Sequence, residues 1–246
     1  MRIIFRTSEH KRNFFKKKIK FSDIEALTNL TRKFKNTEIY VVCDNVKKST
    51  FKKISNFINK KNIFSVNLNN NSKSLLYCIN LALGIEKNSC FKPMKKNEII
   101  YFVENDYIHL DHSKNILINA FKFNAHYVSL YDHPDKYGKG SIEFKEKRKY
   151  EQFFDNPETR VILGDFCHYK TSISTTCTFA TKLKTLQEDY GYFLKMCKRD
   201  IPRDHKIFKA LTKSGRNLFT PIPSFSTHTD KKDLAPLRDW LNRRSR

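Results

Sequence analysis

The chain has 246 residues, of which 48 are Lys or Arg and 25 are Asp or Glu, and its net charge is +23. This length allows one large domain or two small ones with a sizeable core, and no apolar run is long enough to span a membrane or to form a secretory leader. These absences predict a soluble, non-exported protein. The six Cys residues are isolated, with no Cys-x-x-Cys or zinc-spaced cluster, so we expect reduced thiols in a cytoplasmic protein.

The positive charge favours anionic partners, with nucleic acid and anionic membrane surfaces as the obvious classes. Lysine supplies 35 of the 48 basic residues, and the lysines are spread along the chain instead of forming one block. The densest basic segments lie at 16–20 and 243–246. We interpret part of the charge as compositional drift and part as attraction to anionic donors or lipid head groups, with nucleic-acid binding as the less favoured main function.

In the first half of the chain, apolar runs of strand type alternate with segments of helical periodicity. This alternation predicts an α/β fold with a mostly parallel, Rossmann-like central sheet and flanking helices. Ser22 suits the N-cap of the first helix, and Gly84 suits the end of the third. The predicted strands cover 2–5, 38–43, 63–68 and 98–103, and the predicted helices cover 21–34, 48–59 and 74–84.

The strand predicted at 98–103 ends abruptly in two carboxylates, Glu104 and Asp106. Its apolar run is typical of a central parallel strand that is covered on both faces. Carboxylates clustered at the end of such a strand cost stability unless a cation compensates their charge. We therefore predict a hard divalent cation here, which in turn could hold phosphate oxygens; the alternative is a loop acid that caps the next helix.

Two earlier strand ends should meet the acidic strand end at the same edge of the sheet, where open α/β sheets bind ligands. They carry Arg6 with Thr7, and Asp44 with Asn45. The chain has only six glycines, without a Gly-x-Gly-x-x-Gly or Walker loop. Phosphates in this predicted nucleotide site would therefore be neutralised by metal and side chains.

The second half is less regular, and a charged stretch at 138–158 is expected to be mobile. We find no internal repeat or linker, so we predict one domain, with a nucleotide half at 1–110 followed by an acceptor half at 111–246. The predicted strands cover 126–131, 160–163, 175–180 and 218–222; the predicted helices cover 115–123, 181–195 and a segment after Asp204 that ends at Gly215.

The order of these features resembles that of GT-A-type glycosyltransferases, in particular the inverting family-two group, over nearly the whole chain. Such enzymes have an acid after the second strand and an Asp-x-Asp-like metal motif after a later strand. They also have a carboxylate at the start of a helix and a histidine near the C-terminus. Two features depart from the family pattern, since the metal motif begins with Glu and Arg203 precedes Asp204 where the family usually shows Glu. The matching residues here are Arg6, Thr7, Asp44, Asn45, Glu104, Asn105, Asp106, Asp204, Gly215 and His228.

The resemblance implies a GT-A-like fold and transfer of a sugar from a nucleotide-sugar donor to a glycan or lipid-linked acceptor, in surface polysaccharide or glycolipid synthesis. It implies manganese or magnesium as the cofactor, held chiefly by Asp106 and completed by His228, with Glu104 acting through water or the ribose. Asp204 would be the general base. Arg6, Thr7, Asp44 and Asn45 would contact the donor, and Asp132, His133 and Lys170 would contact the acceptor.

Each of these residues also has a plain structural interpretation. Asp204 could be an N-cap and His228 a surface loop residue, Asp44 could belong to a turn, and Arg6 could pair with a structural acid. Asp132 and His133 lie in an Asp-His-Pro-Asp sequence that favours a turn.

Two other functional classes compete with sugar transfer. The first is a nucleic-acid-binding protein or metal-dependent nuclease that would use the same acids and the high charge. The second is a nucleotidyltransferase, which usually needs a Gly-, Arg- and Lys-rich loop after the first strand, whereas residues 6–12 contain no glycine. We also expect peripheral contact with the inner face of a membrane, since the charge is high and no spanning segment is predicted.

Overall fold

The computed structural model describes residues 1–9, 21–137 and 159–240. The stretch predicted to be mobile, 138–158, lies outside the described residues. Of the described helices, none is both long and apolar enough to cross a bilayer.

The first half of the chain forms four parallel strands with helices between them. The strands lie side by side in the order β3-β2-β1-β4. Their carboxyl ends therefore meet at one edge of the sheet. The elements are β1 (Arg2–Ser8), α1 (Asp23–Lys33), β2 (Glu38–Asp44), α2 (Lys48–Ile54), β3 (Ile63–Val66), α3 (Asn71–Leu83) and β4 (Ile99–Glu104).

The second half extends the same sheet beyond β4. Its elements are β5 (Tyr107–His109), α4 (Ser113–Ala120), β6 (Tyr127–Val128), β7 (Val161–Leu163), β8 (His168–Ser172), β9 (Phe179–Lys182), α5 (Leu183–Met196), α6 (Asp204–Lys213), β10 (Leu218–Ile222) and β11 (Ser226–His228). The nine-stranded sheet continues as β4-β9-β6-β10-β8-β7, in which β9 and β8 run against the other strands. The predicted α/β class with a mostly parallel central sheet is confirmed.

Among the residues that the structure describes, two strands stand apart from this sheet and pair only with each other. β5 and β11 form an antiparallel ribbon, with Tyr107 opposite His228 and His109 opposite Ser226. The ribbon follows directly from the acidic end of β4, so it joins the C-terminal part of the chain to that end. No local sequence pattern predicted it.

The core lies on both faces of the sheet because the middle of each central strand is continuously apolar, at 3–5, 39–43 and 99–103. Phe5 and Val103 pack on one face among residues of α1 and α4. Ile4 and Phe102 pack on the other face among residues of α3, α5 and α6. Covering by helices on both sides is what a continuous apolar strand requires.

Two helix ends lie where the capping residues in the sequence predicted them. Ser22 and Glu25 form a capping box at the start of α1, in which the Ser22 Oγ accepts the Glu25 backbone N–H at 3.2 Å. The Asn70 side chain caps α3, and Gly84 ends it in the left-handed conformation with φ of 72°.

Several predicted strands are shorter than the sequence indicated, and at two of them side-chain hydroxyls replace backbone partners. β6 spans two residues instead of 126–131, since the Tyr131 N–H donates to the Ser129 Oγ at 3.3 Å. The strand predicted at 175–180 begins only at Phe179. Just before it, the Thr178 N–H donates to the Thr176 Oγ1 at 3.3 Å.

Candidate active site

A cleft of about 660 Å³ opens at the carboxyl ends of β1, β2 and β4. It is bounded on its other sides by the β5–β11 ribbon and the start of α6. The predicted site residues that line it are Arg6, Thr7, Asp44, Glu104, Asp106, His133, Asp204 and His228. The convergence of strand ends predicted from the sequence is therefore present.

The ribbon brings His228 against Asp106, with 3.1 Å between the imidazole Nε2 and the carboxylate Oδ2. The Thr229 N–H also donates to the Asp106 carbonyl at 2.8 Å, which fixes the two chain segments together. Burial alone would lower the pKa of His228, but the adjoining Asp106 carboxylate raises it above its ordinary value. His228 is thus part of the cleft and not a surface loop residue.

Asp106 and His228 offer a carboxylate oxygen and an imidazole nitrogen, both of which are ligands for divalent metal ions. These two side chains would hold a metal ion at this cleft. As arranged, the His228 Nδ1 accepts the Asp230 backbone N–H at 3.0 Å, so the proton of the neutral ring is on Nε2. Coordination through Nε2 would require this proton to move to Nδ1 and the bond from Asp230 to open.

Glu104 lines the same cleft and is paired with a buried cation. The Arg6 Nη2 donates to the Glu104 Oε1 at 2.6 Å, and the Arg6 Nη1 donates to the Asn71 carbonyl at 3.1 Å. Arg6 is therefore paired with an acid of the cleft lining, and its contact with a donor diphosphate stays a prediction. In the described part of the chain, no three or more His, Cys, Asp or Glu side chains are grouped as metal ligands. Direct protein ligation at this cleft would rest on Asp106 and His228.

Asp204 is the first residue of α6 and lies in the same cleft. The N-cap of α6 is Arg203, so the N-cap interpretation of Asp204 is wrong. Burial raises the pKa of Asp204 to about 6, against the hydrogen bond that the His205 N–H donates to Oδ1 at 2.7 Å, and the Glu104 charge adds to the rise. A carboxylate with a pKa near neutrality suits a general base.

The predicted donor residues are bound partly to one another. Asp44 Oδ1 accepts the backbone N–H of Leu68 at 2.7 Å, so this carboxylate also organises the loop before α3. The Thr7 Oγ1 accepts the Asn105 Nδ2 at 3.1 Å at the cleft floor. Asn45 donates from its Nδ2 to Asp44 at 3.0 Å and is not part of the cleft lining.

Of the predicted acceptor residues, only His133 lines the cleft. Its Nδ1 lies 2.8 Å from the Asp135 carboxylate, and its ring packs edge-on against Tyr131. Asp132 and Lys170 are buried together, with 3.0 Å between the Lys170 Nζ and the Asp132 Oδ1. They lie outside the lining because they satisfy each other's charge in the interior.

Several lining residues were missed from the sequence. Asn71 and Ser74 begin α3 after β3, so their place after a strand end was a signal that could have found them. Ile201 precedes Asp204 by three residues, and its apolar side chain gave no functional signal. Thr176, which accepts a hydrogen bond from the Tyr107 hydroxyl at 2.9 Å, offered none either.

No protein-family model matches the sequence, and no curated protein matches it. Among solved structures, the galactosyltransferase LgtC with donor and acceptor sugar analogues is 12% identical, with a TM-score of 0.43 over 89% of this chain and 73% of that one. A CMP:2-keto-3-deoxy-manno-octonic acid synthetase with CTP is 9% identical, with a TM-score of 0.48 over 89% and 88%. Mouse xyloside xylosyltransferase 1 is 12% identical, with a TM-score of 0.43 over 88% and 83%.

Two of these three proteins are glycosyltransferases. The inverting family-two group is not confirmed. Because the TM-scores lie below 0.5, this likeness carries no inference about activity.

Proposed function

We propose that this chain is a metal-dependent glycosyltransferase that moves a sugar, with inversion, from a nucleotide-sugar donor to a hydroxyl of a glycan or lipid-linked acceptor. The observation that carries the proposal is the cleft that holds both the Asp106–His228 pair and Asp204. One cleft thereby offers a place for a cation and a carboxylate with a pKa of about 6. Sugar transfer needs both, for the leaving diphosphate and for the attacking hydroxyl.

Asp106 and His228 would hold manganese or magnesium, and the bound ion would neutralise the charge that develops on the leaving diphosphate. Two protein ligands suit this role, because Mg²⁺ commonly keeps several waters and takes its remaining ligands from substrate phosphates. Glu104, paired with Arg6, would act on the metal through water or on the ribose. Asp44 and Asn71 would face the nucleoside end of the donor.

Asp204 would accept the proton of the acceptor hydroxyl as that oxygen bonds to the anomeric carbon. The bond from this carbon to the diphosphate breaks on the opposite side, so the configuration inverts. The carboxylate must be ionised to accept the proton, and its pKa of about 6 leaves it ionised at neutral pH while keeping it basic.

The charge of the cleft disfavours a nucleic-acid-binding site. Five carboxylates line it, and the lining Lys and Arg residues are Lys232 and Arg6, whose guanidinium is already engaged by Glu104 and Asn71. A nucleic-acid-binding site has to attract a phosphate backbone with Lys and Arg side chains, and so acidic a lining does not meet that demand.

Thermal denaturation with nucleoside diphosphates, with and without manganese, tests the donor side. One nucleotide should raise the melting temperature only when metal is present, and Asp106→Asn should abolish that rise. Asp204→Asn should keep the rise and lose turnover of nucleotide sugars. No response to any nucleotide, together with tight binding of oligonucleotides, would refute the proposal.

A further inference from the structure

The segment 198–203 joins α5 to α6 and contributes one wall at the mouth of the cleft. Ile201 lines this mouth, and 70% of its surface is exposed. A single exposed apolar side chain is common on protein surfaces, so its role depends on the residues that surround it.

Backbone and side-chain bonds hold this segment in place. The Ser72 N–H donates to the Asp200 carbonyl at 3.1 Å, and the Asn70 Nδ2 donates to the Asp200 Oδ1 at 2.7 Å. Pro202 is buried, which anchors the other side of Ile201. The segment is therefore fixed to the start of α3, and Ile201 is displayed in water instead of folding back onto the core.

The surroundings of Ile201 are strongly basic. Between 195 and 213 the chain has seven Lys and Arg residues and two acidic residues, Asp200 and Asp204. Lys198, Arg199 and Lys206 are exposed, and none of the three forms an ion pair with another described residue. Asp200 is hydrogen-bonded to Asn70 and Asp204 faces the cleft, so the outer surface presents mainly cations.

We propose that residues 198–206 dock the mouth of the cleft onto an anionic lipid membrane. Lys198, Arg199 and Lys206 would contact the acidic head groups, and Ile201 would enter the interface between head groups and acyl chains. A nucleic acid is the less suitable partner because the segment has no Phe, Tyr or Trp on which bases could stack.

Docking in this orientation would present the cleft to an acceptor carried by the same membrane. This consequence rests on the proposed function, since it places the acceptor hydroxyl near Asp204. The docking itself does not rest on the proposed function, because it involves neither the donor nor the metal. The two proposals can therefore fail separately.

Co-sedimentation with phosphatidylcholine vesicles, with and without about one-third phosphatidylglycerol, tests the docking surface on the full chain in the absence of nucleotide. Binding should require the anionic lipid. The double variant K198Q/R199Q should lower the association constant roughly 30-fold, about five-fold for each charge removed. Ile201→Ser should lower it roughly five-fold through lost apolar contact.

Two matched variants separate a specific surface from general charge. K52Q/K53Q removes the same charge from exposed positions on α2, and Ile85→Ser makes the same apolar change at a residue that is 53% exposed. Each should change vesicle binding less than two-fold, roughly. The proposal would be overturned if the matched variants lost as much vesicle binding, or if the parent protein did not bind anionic vesicles. It would also be overturned if K198Q/R199Q lost binding to oligonucleotides while its binding to vesicles was unchanged.

Discussion

Replacing Asp204 by Asn should make the protein more stable and inactive, because a buried carboxylate is costly unless a reaction needs it. The pKa of this group rises from 3.8 to about 6, roughly two units, mainly through burial. At about 1.4 kcal/mol per unit this is at most roughly 3 kcal/mol, and partial exposure reduces the expected gain to about 1–2 kcal/mol. For a chain of this length, that gain raises the melting temperature by roughly 2–8 °C.

The gain should depend on pH in a defined direction. Because the pKa of Asp204 is raised in the folded state, protonation of this group contributes to the stability of the parent protein. That contribution is fully present below pH 3.8 and is lost as the pH rises through about 6. Asn does not titrate, so the difference between the two proteins should be small near pH 4 and reach its full size above pH 7. The Asn Oδ1 can still accept the His205 N–H, which keeps the start of α6 intact.

Differential scanning calorimetry at pH 4 and pH 8 measures the stability change, and turnover of a nucleotide sugar measures activity. Loss of a general base should lower kcat roughly 100- to 10,000-fold. Asp200→Asn removes the same charge at an exposed position four residues earlier and should show neither effect. A variant less stable than the parent at pH 8, or one with undiminished kcat, would refute the reasoning.

Three further changes are predicted. Asp106→Asn should remove the thermal stabilisation by manganese. In the parent protein this stabilisation should weaken as the pH falls, because the Asp106 carboxylate favours a proton on His228 and that proton competes with the metal. Calorimetry with and without metal checks both results. Asp189→Asn should cost roughly 1.5–3 kcal/mol in urea denaturation, since Arg216 donates to both oxygens of this buried carboxylate at 2.8–3.1 Å and would keep only Glu188 as an acidic partner. An effect below about 1 kcal/mol would contradict this. Ser22→Ala should cost about 1 kcal/mol in the same assay with unchanged turnover, because it removes the α1 cap and lies outside the cleft lining.

The features predicted from the sequence are those governed by local pattern. The apolar run before Glu104 could only be a central strand, and its place in a parallel sheet brought Arg6 and Asp44 to the same edge. The strand at 218–222 has the bounds that were predicted, since its apolar run is flanked by polar residues. Where hydroxyls compete for the backbone, as at 129–131, periodicity overestimated the strand.

The features that escaped prediction depend on contacts between distant residues. The partner of Asp106 is set by the pairing of β5 with β11, which joins residues more than a hundred positions apart. The direction of a charged side chain on a short strand is equally invisible in the sequence. Lys170 therefore looked available to a substrate, although in the folded chain it neutralises Asp132.

The β5–β11 ribbon has a consequence for the order in which the protein would be completed. Under the proposed function, the two metal ligands, Asp106 in the turn before β5 and His228 on β11, lie outside the nine-stranded sheet, so the sheet can be fully formed before the metal binds. Binding of the metal would then add a second link between the last part of the chain and the acidic end of β4, beside the hydrogen bond from Thr229 to Asp106. Folding of the sheet and activation of the enzyme by metal binding would be two separate steps.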